Sequence, residues 1–167
     1  MALWGGRFAQ GPEDSVFALS RSIHFDWRLA PYDIRSSMAH LAVLKENSLI
    51  SAKDSEAILA ALKDLANQVS SGSFLPIDSD EDVHSALERG LTEKLGPVGG
   101  SLRAGRSRND QVTTDLRLFS MDHMLEIASL VTSLQSAILE KLRNTLTIRH
   151  QGLLIFNMHS LFLSVTS

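Results

Sequence analysis

Between Asp110 and Thr147 the sequence contains neither proline nor glycine, and its apolar residues recur at helical spacing. Val112, Leu116, Phe119, Ile127, Val131, Leu134, Ile138 and Leu142 follow one another at steps of three, four or, once, eight. At about 1.5 Å per residue such a helix runs roughly 55 Å. A compact domain of 167 residues has a radius of gyration of only about 15 Å. The helix therefore outruns any cover its N-terminal neighbours can give. A helix of that kind belongs in a bundle, often one built with other subunits.

The chain before it reads as shorter helices. Residues 1–30, punctuated by Gly5, Gly6, Gly11 and Pro12, read as an irregular arm whose Trp4, Phe8, Phe17, Phe25 and Trp27 anchor it by packing. Pro31 opens a helix with Ile34, Met38, Leu41 and Ala42 on one stripe, fading near Asn47. Ser51 is an N-cap with Asp54 in a capping-box-like position. Ile58, Leu59, Leu62, Leu65, Ala66 and Val69 form the apolar face that follows, and Ser70-Ser71-Gly72 ends it. A third helix is predicted from near Ser79, with Asp80, Glu81 and Asp82 at its positive end and Val83, Leu87 and Leu91 as its stripe. Gly96-Pro97 stops it, and Gly99-Gly100-Ser101 reads as a flexible loop. No strand alternation occurs before residue 150, so the fold class is all-α.

Three segments are expected. Residues 1–104 make an N-terminal helical domain, residues 105–150 the first helix of a central bundle, and residues 151–167 an apolar, β-prone tail without charge. That tail is too short, and too polar at Asn157 and His159, to span a bilayer. The N-terminus does not have the form of a secretory signal. There is no cysteine, which excludes disulfides and thiolate metal sites and fits a reducing, cytoplasmic setting. The net charge of −3 argues against a nucleic-acid partner, although Arg103, Arg106 and Arg108 form a local basic loop.

Chemistry concentrates in two places. GRSRNDQ, Gly105–Gln111, lies where a glycine-rich loop meets the long helix. A helix start attracts anions, Arg106 and Arg108 can grip carboxylates in a forked geometry, and Asn109 offers both a donor and an acceptor. These suit a small dicarboxylate; the alternative is a helix cap with solvated arginines. In DEDVHSALER, Asp80–Arg89, Glu81, His84 and Glu88 are spaced to share a helix face. His84 there is a proton donor, an anion contact, or part of a surface ion-pair face. A Glu-x-x-His pair can hold a metal in a bundle, but no second pair accompanies it, and no metal is assigned. His24, His40, His123, His150 and His159 read as structural or solvated.

LWGGRF at Leu3–Phe8, SIHFDWRL at Ser22–Leu29, DEDVHSALERGL at Asp80–Leu91 and GGSLRAGRSRNDQ at Gly99–Gln111 come in the order and spacing seen in argininosuccinate lyases. The chain resembles that family, of the aspartase/fumarase superfamily, over roughly residues 1–147. The resemblance implies a homotetramer around a twenty-helix bundle, with active sites where subunits meet and no cofactor. It implies cleavage of argininosuccinate to arginine and fumarate by β-elimination, in arginine biosynthesis. Carried over residue by residue, Ser22, Asn109, Arg108 and Arg106 are substrate-binding, and His84 is a possible active-site contact. The sequence also departs from the family. Segments resembling PGYTHLQ and GSSxMPxKxN, which supply a Thr-His pair and the serine thought to be the base, do not occur. The expectation is a truncated chain, inactive alone, or a non-catalytic fragment that at most associates with intact subunits.

Overall fold

The computed structural model describes residues 13–145. The LWGGRF motif, His150, His159 and the apolar tail from residue 151 lie outside the described residues. Every regular element described is helical. Two short helices come first, α1 (Asp14–Ser20) and α2 (Ile23–Asp26), then a 3-10 turn at Trp27–Leu29. Three longer helices follow: α3 (Ala30–Glu46), α4 (Ala52–Ser71) and α5 (Val83–Leu95). A single turn, α6 (Pro97–Gly100), and a 3-10 turn at Ser101–Arg103 lead to α7 (Arg108–Thr145). No described helix is long and apolar enough to cross a membrane.

Contacts divide the chain into two units, Met1–Met121 and Asp122–Ser167. The core of the first is the packing of α3, α4 and α5. Ile34, Leu41, Ile58, Leu62, Leu65, Val83, Leu87 and Leu91 are buried there, with Leu102 closing one end. Ala42, expected on the stripe of α3, is exposed, and Leu44 is buried in its place. In the second unit the described part of α7 exposes Ile127, Val131, Leu134 and Ile138.

Several local expectations change. The segment from Asp14 to Leu29 is helical, not irregular, because its chain is tied down. The backbone N–H groups of Ser22 and Ile23 both donate to the Glu81 carbonyl, and the Ile23 side chain is buried. Helix α5 starts at Val83, later than the acidic run suggests. Asp82 is its N-cap, accepting from the Ser85 N–H at 2.6 Å in a reciprocal capping box. Asp80 is drawn away to the Ile77 N–H and to Arg89. Gly99-Gly100-Ser101 is not a flexible loop but helical turn. Gly99 is required there: a Cβ would lie 2.7 Å from the Leu91 carbonyl oxygen.

Candidate functional site

An open cleft lies in the first unit, with Leu62, Leu87, Leu91 and Leu102 among its apolar walls. Its polar wall comes from three directions: Asp33 and Ser37 from α3, His84 and Glu88 from α5, and Arg103, Arg106, Arg108 and Gln111 from the segment that enters α7.

Beneath this wall lies a buried polar cluster. His84 Nδ1 is 2.7 Å from Asp33 Oδ2 and 3.7 Å from Asp115 Oδ2. Gln111 Nε2 donates to both oxygens of Asp33, at 2.8 and 2.9 Å, and Ser37 Oγ donates to Oδ1 at 3.0 Å. Asp115 Oδ1 is 2.6 Å from Ser36 Oγ. Arg106 closes the cluster: Nη1 donates to Ser37 Oγ and Nη2 to Ser36 Oγ, each at 2.7 Å, with Nη2 4.0 Å from Asp33 Oδ1. Burial pushes the Asp33 carboxyl up, but the hydrogen bonds and charges of His84, Gln111 and Arg106 outweigh it, and the net shift is downward. Asp115 goes the other way: burial and the charge of Asp33 push it up to about 6.

Asp33, His84 and Asp115 have the residue types of a metal centre, their ligand atoms lying within 4.8 Å of one another. The donor count speaks against one. Asp33 already receives two bonds from Gln111, one from Ser37 and one from His84, which fills its acceptor positions. Its charge is answered by protons and a guanidinium.

The structure brings Arg106, Arg108 and His84 to one cleft; Ser22 and Asn109 do not line it. Arg108 Nε is 3.6 Å from Asp82 Oδ2, and its Nη2 is buried without a hydrogen-bond partner among the described residues. Asn109 is exposed, with its backbone N–H on Ser107 Oγ at 3.3 Å. Ser22 Oγ donates to Asp26 Oδ2 at 2.6 Å, and Asp26 Oδ1 accepts the Val83 N–H at the start of α5. Of the shared face of Glu81, His84 and Glu88, only His84 and Glu88 come together, both lining the cleft from α5. Glu81 precedes the helix, Glu88 pairs with Arg103 at 3.1 Å, and His84 is buried against α3 and α7. The histidine turns inward because the carboxylates it meets are those of Asp33 and Asp115.

Asp33, Ser36, Ser37, Gln111 and Asp115 carry no sequence expectation. A signal exists in hindsight: Asp33, Ser36 and Ser37 are polar at helical spacing on the stripe that holds Ile34 and Leu41, and Gln111 and Asp115 are one turn apart.

An all-helical unit whose cleft gathers three arginines at the start of a long helix defines a class, and comparison with known proteins agrees with it. Residues 6–150 match the model of a family described as lyase, and the chain belongs to that family. More particularly, it is similar to curated argininosuccinate lyases. It is 55% identical to that of Frankia casuarinae over 138 residues, covering 83% of this chain and 30% of the relative. It is 52% identical to that of Acidothermus cellulolyticus over 151 residues, 90% of this chain and 31% of the relative. It is 54% identical to that of Corynebacterium jeikeium over 141 residues, 84% of this chain and 29% of the relative. The chain thus spans about 30% of the length of these relatives.

Proposed function

We propose that this chain carries the dicarboxylate-gripping part of an argininosuccinate lyase site, whose reaction is β-elimination of fumarate from argininosuccinate. The observation that carries the proposal is Arg108 Nη2, a buried guanidinium nitrogen without a hydrogen-bond partner among the described residues, at a cleft that also holds Arg103 and Arg106. A guanidinium that meets Asp82 only as an ion pair at 3.6 Å has Nη2 left to hydrogen-bond a carboxylate. In an elimination of this type negative charge grows on the carboxylate beside the carbon that loses its proton, so fixed cations there favour the transition state over the ground state. Asn109 and Ser22 join as further substrate contacts from beside the start of α5 and α7. His84 stands behind them as a possible contact, and Arg106 lies at the cleft wall. The reaction of this type needs a base that these residues do not supply.

On this reading residues 1–104 are the N-terminal domain, residues 105–150 the first bundle helix, and a homotetramer covers the apolar face of α7. The setting is cytoplasmic arginine biosynthesis. The chain alone is inactive, since a site built where subunits meet needs parts from the rest of the roughly three-times-longer relatives. The test is a pair of measurements on the purified chain. Calorimetric titration with fumarate is expected to give weak binding that Arg108→Ala abolishes, and absorbance is expected to report no fumarate released from argininosuccinate. Binding that survives the substitution sinks the role of Arg108, and release of fumarate sinks the inactivity.

The exposed stripe of α7 favours a second reading, a non-catalytic chain that docks on intact lyase subunits. Co-expression with an intact relative followed by a pull-down decides it, and lack of association ends it.

A further inference from the structure

The hydrogen bonds around Asp115 do not close if that residue is ionised. Ser36 Oγ lies 2.6 Å from Asp115 Oδ1 and 3.1 Å from the Asp33 carbonyl oxygen, and it accepts from Arg106 Nη2 at 2.7 Å. A hydroxyl has one proton, so Ser36 can serve only one of its two acceptors. With the proton on Asp115 the count closes: Ser36 accepts from Asp115 and from Arg106, and gives its own proton to the Asp33 carbonyl. Asp115 Oδ2 is buried without a hydrogen-bond partner among the described residues, because His84 Nδ1, 3.7 Å away, has its proton committed to Asp33. An orphaned oxygen costs far less on a neutral acid than on a carboxylate.

We infer that in mildly acidic solution Asp115 is a neutral acid donating to Ser36, and that through this proton it is a positioning residue for the loop that presents Arg108 and Asn109. The charged groups facing it are Asp33 from α3, His84 from α5 and Arg106 from the loop. The upward push on its carboxyl, to about 6, agrees with the bond count. When the proton leaves, Ser36 must turn its hydroxyl to Asp115 and release the Asp33 carbonyl. Two carboxylates then share one buried site, and the strain falls on Arg106 and Gln111, the residues that bracket Arg108 and Asn109. That Arg108 and Asn109 meet substrate rests on the function proposed above; the proton and its effect on the loop do not.

The test is a carbon-13 titration of aspartate carboxyls in the full chain from pH 4 to pH 8, with backbone amide shifts followed in parallel. One carboxyl is expected to titrate near 6 and to be missing from Asp115→Asn. The amides of Ser107, Arg108 and Asn109 are expected to follow that midpoint in the parent and to stay flat in the variant. A midpoint in the ordinary range of about 4 overturns the neutral acid. Loop amides indifferent to the titration overturn the positioning role. The Asp115 carboxyl is assigned in the parent through its own side-chain carbon correlations, so a midpoint of about 4 overturns the inference even if Asp115→Asn does not fold. Absence of fumarate binding in a separate titration counts against the proposed function alone.

Discussion

His84 Nδ1 lies 2.7 Å from Asp33 Oδ2 across 51 positions of sequence, and both side chains are 2% exposed. The contact joins α3 to α5, while Gln111 and Arg106 tie the entry of α7 to the same carboxylate. One anion thus registers three segments, which makes it costly to neutralise.

Asp33→Asn is accordingly expected to lower stability at pH 7 by about 3 kcal/mol, the usual range for breaking a buried ion pair from one side. Because the Asp33 carboxyl is shifted below its ordinary value, its contribution is present above the ordinary carboxylate range. It is lost as pH falls through the lower, folded value. Urea unfolding at pH 7 and near pH 3 should therefore show the gap between parent and variant closing at low pH. A gap independent of pH would falsify the charge as its cause.

Asp115 works with the opposite sign. Its carboxyl is raised from 3.8 to about 6, so its contribution is fully present below the unfolded value and is lost as pH rises through the folded one. The parent is expected to lose on the order of 2–3 kcal/mol relative to Asp115→Asn between about pH 4 and pH 6, and nothing further above. Denaturation midpoints measured across that window check it, and parallel curves for the two proteins speak against it.

Gly99 tests the packing of α6 on α5. A Cβ there would sit 2.7 Å from the Leu91 carbonyl oxygen, a backbone atom that cannot rotate away. Gly99→Ala should cost about 2 kcal/mol or more. The neighbouring Gly100 has φ −68° and nothing within 4 Å of its would-be Cβ, so Gly100→Ala should be neutral or stabilise by up to about 1 kcal/mol. Thermal melts of the pair settle the contrast, and equal losses would show that helix propensity, not the close approach, governs this turn.

Why some of this was legible in the sequence, and some not, follows from the range of each interaction. Ser51 accepting from the Asp54 N–H, and Gly72 at φ 72° ending α4, are local devices whose partners lie within a few residues. They could be read directly. The start of α5 could not, since Asp80, Glu81 and Asp82 are equivalent as dipole partners. Only Arg89 and the Ile77 N–H, drawing off Asp80, leave Asp82 as the cap. That GRSRNDQ brings arginines to the entry of α7 could be read from its own residues. The support under it stayed hidden, because Asp115 meets Ser36 79 positions away. A serine or aspartate in an apolar stripe reads as a surface residue until its partner is known. His84 was placed among the acids of its own helix, but the acids that hold it belong to α3 and α7.

The second unit offers a prediction independent of the site. Ile127, Leu134 and Ile138 on α7 are 60%, 61% and 51% exposed, far more large apolar surface than an isolated helix keeps dry. Their spacing is that of one helix face, and burying each such side chain contributes about 1.5–3 kcal/mol. The chain is therefore expected to self-associate through this face at micromolar concentration. Replacing the three with glutamate should return it to a monomer by sedimentation velocity. The core of the first unit, drawn from residues between Ile23 and Leu102, contains none of them. Its unfolding is then expected to differ from the parent only by the lost association, seen as a melting temperature that no longer rises with protein concentration. A triple variant that still sediments as an oligomer would place the contact elsewhere on the chain.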